Sequence, residues 1–134
     1  MRKRILSVLA GVGTGLAIVV ITDEIAGKLY PHPSNIDFKN MEAVKAMVSS
    51  MPMGAFLTML GGYIVAAFAG GLVATLVSGR ENPRSAILTG GVLMVGGVMN
   101  VLAVPGHPIW FIASGVVCNI LFSYLGFLIV RKKA

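Results

Sequence analysis

Four stretches of this chain, residues 5–22, 53–78, 85–104 and 109–130, contain no Asp, Glu, Lys or Arg. Each reaches the roughly 18–20 residues that a helix needs to cross a bilayer. Hydrocarbon offers no partner for an open backbone N–H or C=O, so uncharged runs of this length predict helices. They take up about two-thirds of the 134 residues, which leaves no room for a separate soluble catalytic domain. Only 12% of the residues are charged, about half the share usual in a soluble domain. The predicted fold class is an all-α, integral membrane four-helix bundle. It forms one transmembrane domain over residues 1–134, with spans at about 5–29, 53–78, 85–104 and 109–130.

A net charge of +6 would suggest nucleic acid in a soluble protein, but here its placement decides its meaning. Arg2, Lys3 and Arg4 precede the first span, Arg80 and Arg84 bracket the turn between the second and third, and Arg131, Lys132 and Lys133 follow the fourth. In a four-span protein these positions share one side, and the positive-inside rule makes both termini cytoplasmic. The other side carries Lys28, Lys39 and Lys45 against Asp23, Glu24, Asp37 and Glu42. Topology and anionic headgroups account for the basic residues, and no nucleic acid partner is expected. The apolar run after the basic start continues to about Thr22 without a small-x-small cleavage pattern, so a retained signal anchor is expected. Neither end carries a lipidation motif. Cys118 is the single cysteine and lies inside an apolar stretch, which excludes a disulfide scaffold.

The spans are rich in small residues. Gly11 and Gly15 in the first form a Gly-x-x-x-Gly pair. Gly54, Thr58, Gly62, Ala66, Gly70, Ala74 and Ser78 in the second form an unbroken i+4 row. Such a row drifts about 40° per step on a 3.6-residue helix and so faces more than one neighbour. The second span is therefore expected at the centre of the bundle, at a dimer interface, or both. The third span carries Gly90-Gly91 and Gly96-Gly97. A parallel internal repeat is hinted at by Ile5-Leu6-Ser7 against Ile87-Leu88-Thr89, and by His32-Pro33 against His107-Pro108.

The long outer loop, residues 31–52, contains a predicted amphipathic helix at about 41–48. Met41, Val44 and Val48 recur at helical spacing while Glu42 and Lys45 point elsewhere, and Asn40 and Asp37 are available caps. A helix lying on the membrane surface and one packed over the bundle mouth both satisfy this pattern. Tyr30 and Trp110 suit the interfacial aromatic belt.

The chain resembles an uncharacterised family of small four-span bacterial inner-membrane proteins. The likeness rests on Glu24 to Pro33, the loop from Asp37 to Lys45, Met53-Gly54-Ala55-Phe56 leading into Ala67 to Gly71, and His107-Pro108-Ile109-Trp110-Phe111. It implies four membrane helices and a bacterial inner-membrane location, and it supplies no activity, substrate or catalytic residue. His32 stands where the family pattern has a proline.

Several constellations bear on chemistry. Asp23, Glu24, Lys28, His32 and His107 gather toward the outer side. Carboxylates in membrane spans are ion or proton sites by default, yet Glu24 falls roughly 28 Å along its helix, near the water interface. There a plain i,i+4 salt bridge to Lys28 competes with that role. Transporters of the small multidrug-resistance type resemble the chain in size but hold their essential glutamate well inside the first helix. Met41, Met47, Met51, Met53, Met59 and Met99, with the histidines, supply the ligand types that favour Cu(I). No cysteine or fixed spacing accompanies them, and methionine is also an apolar filler, so neither a metal nor a cofactor is expected. Tyr63 and Asn119 fall near the bilayer midplane and Asn100 further out, which predicts interhelical hydrogen bonds. The run Gly11 to Gly15 lacks dinucleotide-site spacing, and nothing places a serine beside a base, so enzyme activity is not expected.

Two functional expectations follow. The first is a non-enzymatic structural or accessory protein whose glycine-rich faces assemble it into a homo-oligomer or a larger membrane complex. The alternative is a small oligomeric transporter or channel that uses Asp23 or Glu24.

Overall fold

The fold is that of a computed structural model, which describes residues 2–31, 37 and 39–132. The described residues form five helices: α1 (Arg2–Leu29), α2 (Met41–Ser49), α3 (Met53–Ser78), α4 (Arg84–Ala103) and α5 (Ile109–Val130). Among them α1, α3, α4 and α5 are long and apolar enough to cross a membrane, which makes this a multi-pass membrane architecture. The outward surface agrees. Leu102, Ile109 and Ile129 are 78%, 84% and 67% exposed, a costly arrangement in water that costs nothing in lipid.

The 28 residues of α1 extend about 42 Å, more than the roughly 30 Å hydrocarbon core. Its polar ends, Arg2 to Arg4 and Asp23 to Lys28, therefore emerge on opposite sides. Helix α1 stops just before Pro31, and α4 stops just before Pro105; proline disfavours a helical residue before it.

Helices α3 and α4 touch each other and both of the others, whereas α1 and α5 are not paired among the described residues. The α1–α3 contact runs antiparallel, with Gly11 against Gly70 and Ala74, Gly15 against Ala66, Thr22 against Gly62, and Tyr30 against Gly54. A Cβ on Gly70 would lie 2.8 Å from the Gly11 carbonyl oxygen. On its other side α3 meets α5, where Gly71 faces Ser123 and Gly126 faces Phe68 and Leu72. The expected wrapping of small residues round this helix thus takes the form of two intramolecular contacts. Gly54, Gly62, Ala66, Gly70 and Ala74 all face α1 within one chain.

Helices α1 and α4 run parallel. Ser7 meets Ser85, Gly11 meets Thr89 and Gly15 meets Leu93, a constant register. That register pairs Ser7 with Ser85, one turn away from Thr89, its counterpart in the short sequence match. The threonine hydroxyls of the spans are satisfied locally. Those of Thr14, Thr22, Thr58, Thr75 and Thr89 each donate to the carbonyl four residues back.

At one end of the bundle Gly79 closes α3 with φ 99°, a left-handed conformation that suits glycine. Arg80 follows at φ 70°, donates through Nε to the Val130 carbonyl at 2.7 Å, and accepts from the Lys132 N–H at 2.8 Å. Lys3 lies beside Gly79. The three basic segments therefore share this basic end.

At the far end, Asn40 caps α2 by accepting from the Glu42 and Ala43 N–H groups at 3.1 and 3.4 Å. Val44 and Val48 are buried with Phe56 and Phe111. Gly106, at φ 106°, lies against the Lys45 carbonyl, where a Cβ would come within 2.7 Å. Of the three residues of the expected apolar stripe, Val44 and Val48 thus face protein and Met41 points outward.

Candidate functional site

The tight α1–α4 contact ends at Gly15 and Leu93, and the next turn of α4 holds Gly96 and Gly97. A Cβ at either glycine would meet nothing within 4 Å. These two glycines have the opposite role from those of the helix contacts: they leave space open. The result is a cavity of about 290 Å³ in the half of the bundle remote from the basic end. Its apolar walls come from Val12, Leu16 and Val19 of α1, Leu93 and Val101 of α4, and Phe111 of α5. Leu16, Gly96, Gly97 and Asn100 also line it while being exposed, so it opens sideways between α1 and α4.

Four polar side chains enter the lining: Tyr63, Asn100, His107 and Asn119. The fold thus brings together the three span residues singled out for their polarity and one of the two histidines. The hydrogen bonds differ from a direct Tyr63–Asn119 pair. The Asn119 amide donates to the Gly115 carbonyl of its own helix at 2.7 Å. Tyr63 instead has the Asp23 carboxylate beside its hydroxyl. Asn100 is exposed at the mouth of the cavity.

His107 is held in a fixed pose. Its ring stacks on Phe111, with centroids 5.5 Å apart and planes 20° from parallel, and Nδ1 lies 2.9 Å from the Val104 carbonyl. A carbonyl can only accept, so Nδ1 carries a proton, and in the neutral form of the ring Nε2 keeps its lone pair. Phe56 meets this ring at 6.1 Å edge-on, and Trp110 packs edge-on against Phe111 at 6.0 Å.

The outer carboxylates stand elsewhere. Asp23 and Glu24 are exposed on α1 and, with Gly27 and Lys28, line a shallow groove on that helix. Asp23 approaches the cavity only through Tyr63. His32 lies outside the described residues. Met47, Met51 and Met59 pack against the apolar cluster of Val44, Val48, Phe56 and Phe111, while Met41, Met53 and Met99 point outward. Among the described residues no three His, Cys, Asp or Glu side chains converge as metal ligands would.

Sequence reasoning passed over the groups that fasten the basic half. The Ser7 and Ser85 hydroxyls bond at 2.9 Å, and Ser123 of α5 donates to the Ala86 carbonyl of α4. A signal was present: Ser7 continues the i+4 series of Gly11 and Gly15, and Ser123 lies one turn from Asn119. The cavity-forming role of Gly96 and Gly97 had no such signal, because composition alone does not separate a packing glycine from a vacating one. Family models, characterised proteins and solved structures bring no match to this chain.

Proposed function

We propose that the chain is a small, non-enzymatic, multi-pass protein of the bacterial inner membrane, from the four-span family it resembles. In this reading it is an accessory subunit that holds a membrane-soluble ligand in the cavity between α1 and α4. The observation that carries the reading is the cavity itself. It is largely apolar, has a few converging polar groups and is formed by two glycines that pack against nothing, the usual make-up of a small-molecule site. The gathering of three basic segments at one end supports cytoplasmic termini under the positive-inside rule. The cavity then lies in the outer half, and α2 rests at the outer interface.

Gly11 and Gly15 of α1 and Gly54, Gly62, Gly70 and Gly71 of α3 are already engaged within the chain, whereas Gly13 and Gly61 face outward. A second copy or a larger complex would therefore meet the outward apolar faces. Mass spectrometry after gentle extraction tests the reading. A small amphiphile is expected to co-purify with the wild type and to be depleted in Gly97→Leu, whose side chain would enter the cavity. Loss of the amphiphile from neither sample, or its absence from both, counts against a ligand-holding role.

The transporter reading draws on one contact, Asp23 beside Tyr63, since Tyr63 lines the cavity. Cation movement in liposomes that is lost in Asp23→Asn would favour it over the accessory reading.

A further inference from the structure

Resting on the ligand-holding reading, we infer that the cavity takes an uncharged amphiphile whose head is a hydroxyl-bearing aromatic ring, with its apolar chain leaving sideways between α1 and α4.

The lining contains no Lys, Arg, Asp or Glu. A phosphate, carboxylate or ammonium head would therefore lose its hydration without a fixed counter-charge. Hydrogen-bonding capacity points the same way. His107 commits its Nδ1–H to Val104 and Asn119 commits one of its two amide hydrogens to Gly115. His107 Nε2 and Asn119 Oδ1 remain as acceptors in the lining, and an O–H donor on the ligand meets either of them. The ring is argued from the walls. Phe111 and Tyr63 line the cavity with ring centroids 6.1 Å apart, and Phe111 is backed by His107. This is a tilted aromatic wall against which an aromatic head packs favourably. At roughly 30 Å³ for each water-sized unit, 290 Å³ accommodates a substituted ring and little more. The exposed, side-chain-free stretch at Gly96 and Gly97 gives the chain its exit into lipid.

The experiment titrates three probes, dodecylhydroquinone, its dimethyl ether and dodecyl phosphate, into the full chain in nanodiscs. The readouts are fluorescence of Trp110, the single tryptophan, and the thermal unfolding temperature. Dodecylhydroquinone is expected to saturate a single site and raise the unfolding temperature, with the ether and the phosphate at least about tenfold weaker. His107→Phe, which keeps the stacking ring and removes the acceptor, should weaken the hydroquinone by about tenfold and leave the ether unchanged. Gly97→Leu should abolish saturable binding of the hydroquinone. Val12→Phe fills the same space from α1 and serves if Gly97→Leu folds poorly. Equal binding of hydroquinone and ether, or tighter binding of the phosphate, overturns the assignment of the head while leaving the ligand-holding reading intact. Saturation that survives both cavity-filling variants overturns both.

Discussion

The hydroxyls of Ser7 and Ser85 bond at 2.9 Å although 78 residues separate them in the chain. They join the second turn of α1 to the first turn of the parallel α4. One of the two protons goes to the Arg4 carbonyl, 2.7 Å from the Ser7 oxygen, and the other bridges the pair, so both hydroxyls are satisfied where water is scarce. Above this contact the helices stay in register as far as Gly15 and Leu93, and the cavity begins where that register loses its side chains. Ser7→Ala and Ser85→Ala should each lower stability by about 0.5–1 kcal/mol, the usual size of such bonds in membranes. The double variant should cost no more than either single one. Reversible unfolding in mixed micelles measures the three differences, and full additivity would mean that the two serines act separately.

The glycines divide into two classes with opposite expected responses to a methyl group. A Cβ at Gly71 would fall on the Ser123 main chain, and the α3–α5 pair would have to move apart. Gly71→Ala should destabilise the bundle by about 1–3 kcal/mol. Gly13 is exposed and faces open space, so Gly13→Ala gains helix propensity and should be neutral or stabilising by up to about 1 kcal/mol. Thermal unfolding in one detergent, followed by size-exclusion profile, compares the two directly.

That division marks how far the sequence could be read. The uncharged runs located α3, α4 and α5 almost to the residue, because proline, charge and, after α3, the left-handed Gly79 set those ends physically. Helix α1 begins earlier than its apolar run, since Arg2, Lys3 and Arg4 are good helix formers and need no hydrocarbon. The i+4 row on α3 was visible as a packing surface, but its partners were not. Which helix a glycine meets depends on the rotation and register of both helices, and a single chain's spacing leaves those free. The polar residues Tyr63, Asn100 and Asn119 stood out by depth, and the fold brings all three to one cavity. Their hydrogen bonds were not legible, because an asparagine can turn back to its own helix, as Asn119 does toward Gly115.

Asp23 and Glu24 are neighbours in sequence, and Asp23 has a spanning-helix side chain, that of Tyr63, beside it. Asp23→Asn and Tyr63→Phe should therefore be non-additive in stability, as residues in contact are. Glu24→Gln should add independently to Tyr63→Phe. A double-mutant cycle on each pair reads the difference. Equal coupling for both pairs would mean that the Tyr63 hydroxyl senses the general charge of the helix end and has no specific partner.

Arg80 combines a backbone cost with a side-chain bond and a charge, and substitutions separate the three. Its φ of 70° costs a side-chain-bearing residue about 1 kcal/mol relative to glycine, while Nε holds the last carbonyl of α5 at 2.7 Å. Arg80→Lys removes that fixed bond and keeps both the backbone cost and the charge, so it should lose about 1 kcal/mol. Arg80→Gly loses the same bond but relaxes the backbone, so its net change should be close to zero. Orientation should respond in the reverse sense, because it follows cationic residues near the spans. With reporter fusions at both termini, Arg80→Lys should orient like the wild type, and Arg80→Gly should be the variant whose orientation weakens. A Lys variant that misorients while the Gly variant does not would place the determinant in the turn geometry instead of the charge.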